Sequence, residues 1–331
     1  MEGASSAAFW LAIVAAAAAT MLSWAQLISV RLVVRRLPVL SPDPPRLAPP
    51  GDPGGSYAEG TTDAHLRRAV ATLESSDAAR LRRERLGRLM VPAAWATLLL
   101  LAVSLAARWD AVGHAPWSNM YEFTIAFATG ILFFYAAFER AYGRGERRRS
   151  ARALGALTLP LVLAMLAVAA AFFPSDVRPL VPALQNSDLL AIHVATMILA
   201  YAALSVSFAA AALFLVQGGK RNRFSRLPRA QVLDDVAYRS VMVGFPLLAA
   251  GVALGAYWAN SAWGRYWGWD PKETSALVTW LIYGIYLHMR GLRGWSGTRS
   301  AVVLVGGFAA VLFTYFVVNL WVSGLHSYAG V

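Results

Sequence analysis

Four tryptophans crowd into the segment 257–273, YWANSAWGRYWGWDPKE, where Trp258, Trp263, Trp267 and Trp269 alternate with Gly264 and Gly268 and run into Asp270-Pro271. Indole faces stacked at this density make a floor for a large planar aromatic ligand such as a porphyrin. Glycine lets such a ligand approach the backbone closely, and Asp-Pro is a helix-opening pair. The competing reading is an aromatic belt at headgroup level. A belt needs neither the glycines nor the clustering, so a ligand platform is the expectation.

The histidines supply the second line. Only five occur: His65, His114, His193, His288 and His326. Two neutral imidazoles can fill the two axial positions of a haem iron, and His193 and His326 fall at the same ends of their spans as the tryptophan segment. His288 is different: it lies about a dozen residues into a span, roughly 18 Å down at ~1.5 Å per residue. An ionisable group at that depth is either functional or snorkelling beside Arg290. A haem ligand there needs a second histidine at the same depth, and this chain offers none. His114, in WDAVGHAPWSNMYEF, either lines the same pocket or packs its loop. Arg265 and Lys272 either pair with carboxylates of the ligand or are solvated loop charges.

Elements long enough to position these residues follow from hydrophobicity. With 58% hydrophobic residues, 15% charged and a mean hydropathy of +0.50, the chain reads as an all-α polytopic membrane protein. About eight transmembrane helices are expected, near 7–30, 90–108, 121–140, 154–173, 190–217, 240–260, 275–290 and 301–322. Lys and Arg number twenty-six in the segments 31–88, 139–152, 218–240 and 290–300, and the alternate loops hold only Arg108, Arg178, Arg265 and Lys272. That asymmetry puts both termini and the tryptophan loop on the non-cytoplasmic side. It also accounts for the net charge of +12 without nucleic acid.

Three divisions result. Residues 1–30 form an N-terminal span, expected to be retained. Residues 31–88 form a basic cytoplasmic linker, Pro- and Gly-rich over 37–60 and helical with many arginines over 63–88, like a helix along an anionic leaflet. Residues 89–331 form a seven-helix ligand-handling domain with its outer loop at 257–273. The absence of cysteine excludes disulfides, thiolate metal sites and thiol chemistry from this chain. No phosphate loop, HExxH helix or Ser/His/Asp arrangement occurs in a plausible context.

The ordered segments GHAPWSNMYEF (113–123), IHVATMILAYAALSVSF (192–208), WGRYWGWDPKE (263–273), LIYGIYLHMR (281–290) and VNLWVSGLHSYAG (318–330) resemble the CcsA/ResC family of cytochrome c biogenesis proteins, within the wider group of haem handlers named for a WWD motif. The resemblance runs from about residue 88 onward. It implies that His193 and His326 ligate the iron of haem b at an outer WWD site built on Trp263, Trp267, Trp269 and Asp270, with His114 and Arg265 as further candidates. It implies that His288 works with a histidine of a ResB/CcsB-like membrane partner as an inner site. Haem would then be offered to the CxxCH thiols of apocytochrome c, which separate thiol-reducing proteins keep reduced. The chain would be part of a cytochrome c haem lyase in a bacterial plasma membrane, or a thylakoid membrane in a plastid, and not an enzyme alone. The alternative is a haem transporter of the CcmC type, usually shorter, with no direct part in ligation. The 31–88 insertion inherits no role.

Overall fold

The computed structural model describes residues 2–28, 58–141, 146–176, 188–224 and 227–325. Every regular element among them is helical: α1 (Glu2–Ile28), α2 (Ala58–Val112), α3 (Met120–Ala141), α4 (Glu146–Phe172), α5 (Asp188–Val216), α6 (Ala230–Trp263), α7 (Pro271–Arg293), α8 (Thr298–Leu312) and the short α9 (Val318–Trp321). A 3-10 turn, Gly219–Arg221, follows α5, and a π-turn, Phe313–Val317, joins α8 to α9 so that they form one span. Seven helices are long and apolar enough to cross a membrane. Helices are what lipid demands, because they satisfy every backbone group within one segment.

Two departures from the sequence reading are informative. The arginine-rich stretch before residue 88 and the second span are one helix of 55 residues, uninterrupted at Pro92. Of the eight expected spans, 275–290 is a helix of the right length, α7, but it falls short of the apolarity of the other seven. The cause is its buried face. Lys272, Ala276, Thr279, Tyr283, Tyr286 and Arg290 recur at helical spacing along one stripe that is buried or half-buried. Val278, Leu281, Ile285, His288 and Leu292 are exposed on the opposite face.

Packing is by small residues at close approach. Ala12, Ala16 and Ala19 bury α1 against α2, whose ends are tied by Ser5 Oγ donating to the Ser104 carbonyl and Ser104 Oγ returning to the Ser5 carbonyl, both at 2.9 Å. Helix α5 is the central element: it packs on α3, α4, α6 and α8, with Ala200, Ala202, Ala203, Ala209 and Ala210 fully enclosed. Its most extensive partner is α6. At the end of the bundle that carries the tryptophan loop, Arg108 Nε donates to Glu122 Oε1 at 2.8 Å, and Arg108 Nη2 donates to the Ser175 carbonyl at 2.6 Å. Glu122 Oε2 in turn accepts from the backbone and hydroxyl of Ser118, so a buried ion pair locks the 113–119 loop onto α2, α3 and the end of α4.

Candidate functional site

At the same end of the bundle, α3, α5, α6, α7 and the α8–α9 span surround a largely apolar cavity of about 120 Å³. His193, Trp267, Lys272, Tyr315 and Asn319 reach it from four different elements, with Phe123 and Phe127 as apolar walls.

His193 lies in the second turn of α5. Its Nδ1 is 2.8 Å from the carbonyl oxygen of Gly251 on α6, and a carbonyl only accepts, so Nδ1 carries the proton. In the neutral ring Nε2 is then the lone-pair nitrogen, the arrangement by which a backbone carbonyl fixes the tautomer of a ligating histidine. Trp258, almost fully buried, lies parallel to the ring, with centroids 6.4 Å apart and planes 6° from coincident. Gly255 supplies the room: a Cβ there would stand 2.6 Å from His193 Cε1 and 3.2 Å from Nε2.

The tryptophan loop is built from its own C-terminal helix cap. Asp270 caps α7, Pro271 takes the first helical position, and Glu273 completes a capping box. Glu273 Oε2 accepts from the backbone of both Gly268 (2.9 Å) and Asp270 (3.1 Å). These two bonds bracket Trp269, which sits at φ 56°, a left-handed conformation costly for a bulky residue, with 70% of its surface exposed. Trp267 stands edge-on to it, centroids 5.8 Å apart at 89°.

Asp270 does a further job. While Oδ2 accepts from the Lys272 amide, Oδ1 accepts from the amide of Leu325 at 2.6 Å, reaching across to the segment that follows α9. Gly324 makes that approach possible, since a Cβ there would lie 2.5 Å from the same oxygen. Inside the cavity a polar chain runs from Lys272 Nζ, which donates to Asn319 Oδ1 at 2.6 Å. Asn319 Nδ2 donates to the Tyr315 carbonyl at 2.6 Å. The Tyr315 hydroxyl meets Thr124 Oγ1 at 2.9 Å. Thr314 and Tyr315 both belong to the π-turn, a distortion found disproportionately at functional sites.

The Cytochrome C assembly protein family matches residues 117–326, which include every residue lining the cavity. This chain belongs to that family. Its relatives include the cytochrome c biogenesis protein CcsA of Chlamydomonas reinhardtii, 41% identical over 237 residues, or 70% of this chain and 65% of the relative. The CcsA of Synechococcus elongatus is 39% identical over 280 residues, covering 70% of this chain and 84% of the relative, and that of Mesostigma viride is 38% identical over 258 residues, covering 69% and 82%.

Within this cytochrome c assembly family member, the residues singled out by sequence separate into groups. His193, Trp267 and Asp270 gather at the cavity or its cap. His326 and the side chain of His65 lie outside the described residues, although Leu325 is held on Asp270. Trp263 packs edge-on against Trp258 (4.8 Å, 73°) behind the cavity wall. Arg265 is exposed and folds over Gly268 without lining the cavity. His114 is half-buried in its loop, Nδ1 3.0 Å from the Ala115 carbonyl, and is not a lining residue. His288 lies about 26 Å of helix rise beyond Pro271, on the exposed face of α7. Lys272 is enclosed where a solvated charge was one of two readings, and Asn319 and Tyr315 had no sequence signal. The Gly251-x-x-x-Gly255 spacing, which marks close helix approach, is a signal the sequence reading missed and that could have found the room beside His193.

Proposed function

We propose that this chain takes its part in cytochrome c biogenesis by holding haem b at the cavity end of the bundle and presenting it for thioether attachment to the CxxCH thiols of apocytochrome c. His193 and His326 are the two axial ligands, and Trp267, Trp269 and Asp270 build the platform. The observation that carries the reading is the hydrogen bond from Leu325 to Asp270. It fastens the residue before His326 to the cap of the tryptophan loop, at the same end of the bundle as the His193 ring.

The donor set fits the cargo. His193 is held in the tautomer that leaves Nε2 for iron, and the walls are aromatic. The enclosed volume of about 120 Å³ is below the ~300–1,000 Å³ of ordinary ligand pockets. Only an edge of the macrocycle would enter it, against Trp267, with the exposed Trp269 standing edge-on to that indole. Such a pose suits the reaction, because each thiol adds S–H across a vinyl C=C, forming a C–S and a C–H bond with no net change in oxidation state. The vinyl edge must stay open to the apocytochrome while the plane is fixed, and a held pair of reactants behaves as an intramolecular one. Lys272, enclosed and bonded in the described structure to a neutral amide, is the cation placed for a propionate on the buried edge.

His288, exposed among Leu281, Ile285 and Leu292, fits an inner site completed by a histidine of a ResB/CcsB-like partner covering that face. The setting is a bacterial plasma membrane, with separate proteins keeping the apocytochrome thiols reduced. Co-expression with the partner and a CxxCH apocytochrome tests the whole reading: covalent cytochrome c is expected, and in His193→Ala its loss together with the outer site's share of the bis-histidine spectrum. A His193→Ala, His326→Ala protein with unaltered haem would overturn it, and haem passage without covalent product would leave a transporter.

A further inference from the structure

The inner stripe of α7 is polar from one end to the other. Lys272, Thr279, Tyr283, Tyr286 and Arg290 stand on it, spanning about 27 Å of helix rise, close to the ~30 Å hydrocarbon thickness of a bilayer. At the top, Lys272 lines the outer cavity; at the bottom, Arg290 makes a two-pronged bond to Asp234 on α6 at 2.9 and 2.6 Å and lies 4.6 Å from the centroid of Tyr238. Between these ends the Tyr283 hydroxyl has no hydrogen-bond partner, and those of Tyr286, beside Arg290, and of Tyr201, which lines the cavity from α5 beside Thr314, make no hydrogen bond of good geometry. All three residues are 7% exposed or less. Ser240 Oγ on α6 and Trp280 Nε1 on α7 are likewise without partners.

Buried polar atoms left unmet are costly anywhere and more so where lipid replaces solvent. Apolar replacements were available at no chemical expense, since phenylalanine fills the same space as tyrosine. Gly307 on α8 makes room for the Tyr283 ring, as a Cβ there would stand 3.0 Å from its Cζ. Tyr283 and Tyr286 stand one turn apart on α7, about 4.5 Å of helix rise, a spacing that one internal water can bridge. Inward-facing polar residues along a span commonly mark ion or proton pathways.

We infer that the α7 stripe binds a file of water molecules running from the outer cavity, past Tyr201, Tyr283 and Tyr286, to the Asp234–Arg290 pair. The file gives the cavity a hydrogen-bonded connection, able to relay protons, to the opposite end of the bundle. It rests on the cavity and the tyrosines, and not on any ligand bound there.

Radiolytic hydroxyl footprinting of the full chain in nanodiscs tests this, because radicals formed from a bound water label the side chain beside it. Tyr201, Tyr283 and Tyr286 are expected to be oxidised at least fivefold faster than Tyr135, which is equally buried but has its hydroxyl on the Arg152 carbonyl. Rates no higher than that of Tyr135 would overturn the inference. Continuity is read from Tyr283→Phe, whose fold is checked by helical circular dichroism and thermal melting. Labelling of Tyr201 and Tyr286 should drop severalfold when the middle of the file loses its hydroxyl. Unchanged labelling at both would reduce the track to separate pockets and overturn the connection.

Discussion

His193 depends on two residues that carry no side chain. The Gly251 carbonyl sets which nitrogen is protonated, and Gly255 leaves the space into which the ring fits. Gly255→Ala should therefore act on the ligand rather than on the helix: its Cβ would press 2.6 Å from Cε1 and push the imidazole off Gly251. The expected result is a membrane level near that of wild type, with co-purifying haem reduced by about tenfold, the equivalent of ~1.4 kcal/mol of lost binding. Pyridine haemochrome assay per mole of protein checks it. Gly306 on α8, where a Cβ would meet nothing, is the control expected to bind normally when changed to Ala. Residue type and spacing singled out His193, Trp267 and Asp270, and the structure brings the three to the cavity or its cap. The Lys272–Asn319–Tyr315–Thr124 chain was not legible, since it joins positions 124 and 319 and only the packing of three helices brings them together.

At the scale of the element, the cap of α7 is what couples helix, loop and the approach to His326. One carboxylate, Glu273, accepts from both sides of Trp269, and another, Asp270, accepts from Leu325. Glu273→Ala should release Trp269 from its left-handed conformation and weaken the helix start by ~0.5–2 kcal/mol, the usual worth of a cap. A redder, more mobile tryptophan emission is the expected sign, together with haem loss larger than the drop in melting temperature explains. The Arg108–Glu122 pair gives a contrasting outcome. Both side chains are nearly fully enclosed, so Glu122→Ala strands a buried cation and should cost ~3–5 kcal/mol of stability, read as a large fall in the detergent melting temperature. Helix existence was legible throughout because lipid requires long apolar runs, and seven of the eight expected spans meet that requirement outright. The exception, α7, has low apolarity for the same reason that makes it interesting, a polar inner face that hydropathy averages away. The fusion of the arginine-rich stretch with the second span was not legible, because the change from charged to apolar residues near 88 reads as a boundary while the backbone runs on as one helix through Pro92.

Taken whole, the molecule has one end rich in indoles and another rich in arginine, and His288, deep in α7, stands on an exposed face. His288 shares its stripe with Val278, Leu281, Ile285 and Leu292, an apolar face that suits lipid or another helix equally. Lipid offers an imidazole no hydrogen bond, so a histidine kept there is best explained by a partner helix that does. The two proposed sites are far apart, one at the Pro271 end of α7 and the other one turn from its basic end, so ligation at one would make no direct contact with the other. His288→Ala should therefore leave the outer ligands intact while cutting haem delivered to them. In the complex with its partner, total haem should fall several-fold, and exogenous imidazole, which can stand in for a missing axial ligand, should restore it. His193→Ala should instead permit accumulation at the inner site, with a spectrum that persists only while the partner is present. A His288→Ala complex carrying wild-type haem without imidazole would mean that this face meets only lipid, and that haem reaches the cavity by another way.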